Sequence, residues 1–346
     1  MVFASPNSNN ANCNEARHLE LSITDSHKKN MEKQKTILIL DQRAEKYKSL
    51  IAPVFPQLTI YTAQSESQAD KYLAEVEALF ALGHLYNDGL IEKTPKLQWI
   101  QALTTGTDAI LALQNLSKKI VVTSTRGIHG PQMSEMAFLH MLILSRQYPR
   151  MLRNQDKGVW ERWPQSLLYQ KTVGIVGIGV IAEQLAPKCK AFGMTVYGVS
   201  NTQRPVEGID QIFLPGQILE VAGLVDYLIV IVPYSRDTHH LINTEVLAAM
   251  KPTGFLINIA RGGVVDEVAL IEALNENVIA AAGLDVFETE PLPAGHPFWS
   301  MPNVFITPKL GGMSDIYQQQ VLPILEHNIH AFLVGRCHEM LNIIEH

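Results

Sequence analysis

The 346 residues carry 28 basic against 34 acidic side chains, a net charge of −6, and are 47% hydrophobic and 18% charged. This is ordinary globular composition, long enough for two buried cores, and it speaks against a disordered chain or a broad electrostatic footprint for nucleic acid. No apolar run is long enough to cross a bilayer, and residues 1–30 lack the apolar centre of a secretory signal.

That opening stretch is rich in Asn and Ser and shows little periodicity, so residues 1–34 read as a flexible extension, and Met31 is an alternative start. The first convincing strand is KTILIL, beginning at Lys35. Short β-branched runs then alternate with helical spans: LTIYT, EALFAL, LQWIQAL and KIVVTST, with a turn, TTGTD, at 104–108. A long helix is predicted from Gln132 to about Arg150, followed by a loop containing Gly158, Trp160, Trp163 and Pro164.

Residues 172–200 restart the rhythm as strand, glycine turn, helix and strand, the order of a βαβ unit. Gly177, Gly179 and Ala182 form a G-x-G-x-x-A fingerprint at the turn, where glycines let the backbone approach a pyrophosphate and the following helix turns its amino end to the anion. Apolar runs at 226–233, 254–260, 280–287 and 303–308 complete a doubly wound α/β sheet, covered on both faces.

The tip of the second strand of that unit reads VSNTQRP. An acid there would grip the ribose hydroxyls of NAD; instead Ser200, Asn201 and Thr202 offer neutral hydrogen bonds and Arg204 a partner for a 2′-phosphate. NADP(H) is therefore favoured, with NAD(H) as the other candidate. Arg261, Glu290 and Lys309 follow in order at the ends of later strands, where open α/β sheets gather their ligands, and read as a cationic anchor, a carboxylate and a proton-handling group. Cys13, Cys189 and Cys337 are the only cysteines, with no CxxC or His-rich companion, so neither a disulfide framework nor a metal site is expected; a reducing cytoplasm is the default compartment.

Across roughly Lys35 to Gly335 the chain resembles the D-isomer-specific 2-hydroxyacid dehydrogenases, through GIHGPQMSE (127–135), TVGIVGIGVIA (172–182), VPYSRDTHHLIN (232–243), INIARGGVVDEVALIEAL (257–274) and LDVFETEPLP (284–293). The resemblance implies two doubly wound parallel-sheet domains: a Rossmann nucleotide-binding domain over 132–310 inserted into a flavodoxin-like substrate domain of 35–131 plus 311–346, with homodimers formed through the nucleotide domains. It also implies site roles. Arg261 would hold the substrate carboxylate and polarise the 2-oxo oxygen, Glu290 would pair with the acid/base residue, and the amides of Thr105, Gly106 and Thr107 would form a substrate-carboxylate loop.

For the cofactor, the resemblance assigns Gly177, Gly179, Val180 and Ile181 to the pyrophosphate, and Pro233 and Thr238 to the adenosine side. Asp285 would meet the nicotinamide carboxamide and Met133 would line the ring, with Ile259, Ala260, Arg261, Lys309 and Gly311 completing the wall.

One position departs from the family. Where the pattern writes T-P-H, this chain has Thr307, Pro308 and Lys309. Imidazole, with an ordinary pKa of about 6.5, gives and takes protons near neutrality; an alkylammonium, at about 10.4, is a donor only. Reduction of a 2-oxo acid to a D-2-hydroxy acid is expected to be favoured over oxidation.

Two alternatives stay open. Lys309 is either the donor or a clamp for a second anionic group, with water or His129 handling the proton, and the chain is either an enzyme or a corepressor-like dinucleotide-sensing protein. His129, His239, His240 and His296 read first as residues satisfying local backbone groups, and Glu288 as a solvated neighbour of Glu290. The substrate's side chain is not legible, and no nucleic-acid or membrane partner is expected.

Overall fold

The computed structural model describes residues 34–346; the expected extension falls outside these, but for residue 34, as does Met31. Among the described residues the chain forms strands β1 (Thr36–Leu40), β2 (Thr59–Ala63), β3 (Ala78–Ala81), β4 (Trp99–Ala102), β5 (Val121–Thr123), β6 (Thr172–Val176), β7 (Thr195–Val199), β8 (Gln211–Phe213), β9 (Tyr227–Val230), β10 (Phe255–Asn258), β11 (Ala281–Leu284), β12 (Val304–Ile306) and β13 (Ile343–Ile344). The strands form two sheets in two compact units. One unit runs to Arg126 and resumes over Ile316–His346; the other, Gly127–Asp315, interrupts it in sequence.

In the first unit the order β2-β1-β3-β4-β5 is that of flavodoxin-like sheets, all parallel, with β13 added antiparallel to β5. The central strands β1, β3 and β4 are buried along nearly their whole length, as parallel strands covered on both faces must be. Trp99 of β4 is fully buried, packs edge-on to Phe80 and against Phe332 of the Tyr317–Leu333 helix, and donates its indole N–H to Thr123 Oγ1 at 2.7 Å. Asn328 of the same helix donates to Gln101 Oε1 and accepts from the Leu341 amide, which satisfies the buried amides and fastens the returning carboxyl-terminal segment to the sheet.

In the second unit all seven strands are parallel, in the order β8-β7-β6-β9-β10-β11-β12. Numbered within the unit this is 3-2-1-4-5-6 with a seventh strand, so the order reverses between β6 and β9. Alternate residues enter different cores. Leu228, Val230 and Leu256 pack on one face, and Tyr227, Ile229 and Ile257 on the other, which explains the unbroken apolar runs in the sequence.

The single helix predicted from Gln132 to Arg150 is two helices, Gly130–Arg146 and Tyr148–Asp156. Gln147 turns left-handed at φ 52° between them, and Pro149 lacks the N–H that would bond to residue 145. No described helix is long and apolar enough to cross a membrane.

Candidate active site

The glycine turn lies at the switch point of the second unit's sheet. Gly177, at φ 105°, follows β6, and a Cβ there would stand 2.8 Å from Val232 Cγ1 and 3.1 Å from its amide nitrogen, so only glycine fits. A Cβ on Gly179 would meet nothing within 4 Å, leaving room for a ligand to reach the backbone. The Val180–Ala191 helix starts there with no side-chain cap, so the first-turn amides, including those of Val180 and Ile181, have no capping side chain to satisfy them. Open space, uncapped N–H groups and the positive helix end suit a pyrophosphate. Gly130 lets the neighbouring helix close in: a Cβ there would lie 2.7 Å from Gln184 Cγ.

At the tip of β7, Ser200 Oγ accepts from the Thr202 amide, and Asn201, Thr202 and Arg204 are exposed. Arg204 donates to Glu183 in the first turn of the glycine-turn helix, a partner not foreseen from sequence. After β9, Thr238 Oγ1 accepts from the Ser235 amide at 2.7 Å and donates to the Pro233 carbonyl at 2.8 Å, closing the expected adenosine-side turn.

Asp285, buried just after β11, organises the other side. It accepts from Thr307 Oγ1 at 2.5 Å and from the amides of Leu310 and Gly311 at 2.8 and 2.9 Å. Burial pushes its carboxyl up from the ordinary range, while these three donors pull it back. A side chain on Gly311 would collide with Asp285 Oδ2 at 2.9 Å and Met133 Sδ at 3.0 Å, so Met133, Asp285 and Gly311 are brought together.

The turn that Asp285 fastens carries Lys309 in the left-handed region, φ 56°, a conformation lysine adopts only when its surroundings impose it. Its ammonium donates to Glu290 Oε2, and Glu290 Oε1 accepts from the Phe287 amide at 3.2 Å. The pair is open to solvent, the side chains being 54% and 27% exposed. Glu288 turns away to accept from His240 Nε2 at 3.0 Å, more engaged than the solvated neighbour expected of it.

Arg261 follows β10 and is half-buried, its Nη1 donating to the Ala260 carbonyl at 2.7 Å. Asn258 braces the turn, donating to the Arg261 carbonyl and accepting from the Ala260 amide. A Cβ on Gly262 would stand 1.9 Å from the Phe287 carbonyl carbon, so the glycine after Arg261 brings this turn against the segment leading to Glu290. His129 lies beside Gly312, and burial together with the Arg261 cation lowers its pKa to about 4. His296 accepts from the Phe298 amide, the local role expected of it.

In the first unit the TTGTD turn follows β4. Thr104 Oγ1 accepts from the Gly83 amide and donates to the Gly106 carbonyl, which fixes the backbone of Thr105, Gly106 and Thr107. Sequence reasoning missed four supporting residues: Glu183, Asn258, Thr307 as the partner of Asp285, and His140, whose Nε2 lies 3.1 Å from Thr307 Oγ1. A histidine among the apolar residues of a buried helix is the signal that was available.

A sheet reversing beside an uncapped glycine turn, with ionisable side chains gathered at the tips of its later strands, defines a dinucleotide-binding α/β fold. The family model described as D-isomer specific 2-hydroxyacid dehydrogenase, NAD binding domain, matches residues 138–311. A glyoxylate reductase of Pyrococcus horikoshii is 34% identical over 278 residues, 77% of this chain and 82% of its own. A D-isomer specific 2-hydroxyacid dehydrogenase family protein of Aeromonas salmonicida superposes with TM-score 0.84 at 34% identity, covering 90% of this chain and 99% of its own. The NADPH-dependent glyoxylate/hydroxypyruvate reductase of Sinorhizobium meliloti, solved with NADP and sulfate, superposes with TM-score 0.77 at 26% identity, covering 90% and 98%.

The chain belongs to the D-isomer-specific 2-hydroxyacid dehydrogenases. It is a nicotinamide-dinucleotide-dependent oxidoreductase interconverting 2-oxo and D-2-hydroxy acids, and its relatives favour that reading over a dinucleotide-sensing corepressor.

Proposed function

We propose that this enzyme works as an NADPH-dependent reductase of small 2-oxo acids, of the glyoxylate and hydroxypyruvate class, with Lys309 as proton donor. The observation that carries the proposal is the Lys309–Glu290 pair, held on a left-handed turn that Asp285 fastens. When bound, the dinucleotide supplies the hydride. Arg261 binds the substrate carboxylate and polarises the 2-oxo oxygen, and Lys309 Nζ gives its proton to that oxygen as the alcohol forms. The resulting amine stays hydrogen-bonded to Glu290 and regains its proton from solvent.

Gly177, Gly179, Val180 and Ile181 would hold the pyrophosphate, Pro233 and Thr238 the adenosine side, and Asp285 the nicotinamide carboxamide. Met133, Ile259, Ala260 and Gly311 would line the ring, and the Thr105, Gly106 and Thr107 amides would bind the substrate carboxylate. The neutral hydrogen-bonding tip at Ser200, Asn201 and Thr202, followed by Arg204, supports NADPH over NADH.

Two observations favour Lys309 as donor over Lys309 as clamp. Glu290 already neutralises its charge, which weakens its pull on a second anionic group. His129 is held neutral, burial and the Arg261 cation lowering its pKa to about 4, which makes it a poor acid near neutrality. The Tyr148–Asp156 helix has no buried residue and Trp160 is 93% exposed, which supports a homodimer formed through the second unit; the compartment we propose is the cytoplasm.

The test is NADPH consumption with glyoxylate, hydroxypyruvate and longer 2-oxo acids, each repeated with NADH. Turnover of the small acids, faster with NADPH, is expected; absence of turnover with every acid would defeat the proposal.

A further inference from the structure

Thr307 carries a single hydroxyl proton, and three atoms could accept it: Asp285 Oδ1 at 2.5 Å, His140 Nε2 at 3.1 Å in one tautomer, and Met136 Sδ at 3.8 Å. A carboxylate at that distance outcompetes both a longer contact to a neutral imidazole and a thioether, so the proton points to Asp285. Thr307 Oγ1 can then only accept from His140 Nε2, 3.1 Å away, which fixes His140 as the Nε2–H tautomer. The rest of its setting agrees. Nδ1 has no hydrogen-bond partner, as suits a bare lone pair rather than an N–H, and it faces β11 where a Cβ on Gly283 would come within 2.5 Å. Phe305 of β12 meets the ring edge-on at 5.4 Å, and the side chain is fully buried. Burial alone lowers its pKa to about 4, so it is neutral at physiological pH.

We infer that His140 is a positioning residue for the nicotinamide end of the cofactor site, acting through a one-way hydrogen-bond chain from His140 through Thr307 to Asp285. With Thr307 and the Leu310 and Gly311 amides all donating, Asp285 is an acceptor with a fixed orientation. A carboxylate offers about four acceptor directions, so one remains for an N–H donor such as a carboxamide. The inference rests on the reading that Asp285 meets the nicotinamide carboxamide. It assigns the buried histidine a part in recognising that group without touching it.

The test compares binding of NADPH with that of 2′-phospho-ADP-ribose, which shares everything but the nicotinamide. His140→Leu is expected to weaken NADPH about tenfold and leave the truncated nucleotide unchanged. His140→Gln, whose amide N–H can take the Nε2 position, should restore most of the loss. Should His140→Leu fail to fold, Thr307→Val breaks the same chain with a side chain of equal shape and should give the same split.

Nitrogen-15 spectra of histidine-labelled protein should show His140 protonated at Nε2; protonation at Nδ1 would overturn the inference. So would an unchanged NADPH-to-analogue ratio in both His140→Leu and Thr307→Val while Asp285→Asn shifts it. If Asp285→Asn also leaves the ratio unchanged, the carboxamide reading itself is wrong and the inference falls with it.

Discussion

For Lys309, proposed above as the proton donor, what matters is the proton affinity of an alkylammonium set against that of an imidazole. Imidazoles ordinarily lose their proton near about 6.5 and alkylammonium groups near about 10.4, so an enzyme with a lysine donor should go on reducing into alkaline solution. Lys309→His is expected to lower the ratio of reductase activity at pH 9 to that at pH 6, and to raise hydroxy-acid oxidation near neutrality. An unchanged pH–rate profile would remove Lys309 from the proton path. Lys309→Met, which keeps the stem and loses the donor, should lower kcat by roughly 10²- to 10⁴-fold with a smaller change in KM, the usual effect of losing a general acid. Arg204 is held by Glu183 in an exposed ion pair, a contact typically worth about 0–1 kcal/mol. A 2′-phosphate can displace so weak a partner. Glu183→Gln is expected to tighten NADPH relative to NADH, and Arg204→Ala to weaken NADPH alone, both read by titration.

At the scale of elements, glycines decide how closely the site's turns approach one another. A methyl group on Gly262 would overlap the Phe287 backbone, so Gly262→Ala must push the Arg261 turn away from the 287–290 segment. We expect a loss of about 3 kcal/mol and a fall in Tm of roughly 10 °C by calorimetry, with the substrate binding proposed for Arg261 weakened as well. Gly283 and His140 are a packing pair across β11 and the Gly130–Arg146 helix. Gly283→Ala should be destabilising alone and largely tolerated with His140→Ala, giving a coupling energy of about 0.5–3 kcal/mol in a double-mutant cycle. Additive effects would mean that the ring and the strand do not constrain each other.

At the scale of the whole molecule, His140 and His129 contribute to its response to acid. His140 and the half-buried His129 bind protons more weakly folded than unfolded, each lowered to about 4 from an ordinary value of about 6.5, by burial in both and by the Arg261 cation as well in His129. The unfolded chain therefore binds more protons between these values. Stability is full above about pH 6.5 and falls as the pH drops toward 4, by about 3 kcal/mol for His140 alone. Asp285, shifted upward, acts in the opposite sense just above its ordinary range and offsets part of this. Urea midpoints measured from pH 7 to pH 4 should fall across that window, and the fall should be smaller in His140→Gln; an identical slope in that variant would contradict the assignment of the loss to His140.

Much of the fold was legible in the order of residues, because parallel strands covered on both faces leave unbroken apolar runs and a glycine turn between strand and helix leaves a spacing that can be read directly. Arg261, Glu290 and Lys309 stood out as candidates because ionisable side chains at the ends of apolar runs have few structural reasons to be there, and the structure pairs Lys309 with Glu290, while their roles are those proposed above. The two-residue β13, the short β8 and the break at Gln147 were not legible: the first two are too short for a periodic signal, and the third is a backbone conformation imposed locally. Only the tertiary structure decided that Glu183 holds Arg204, that Asp285 fastens the turn bearing Lys309, and that a histidine inside an apolar helix reaches Thr307, 167 residues along the chain. Those contacts depend on distance and hydrogen-bond direction between segments remote in sequence, and a linear pattern holds neither.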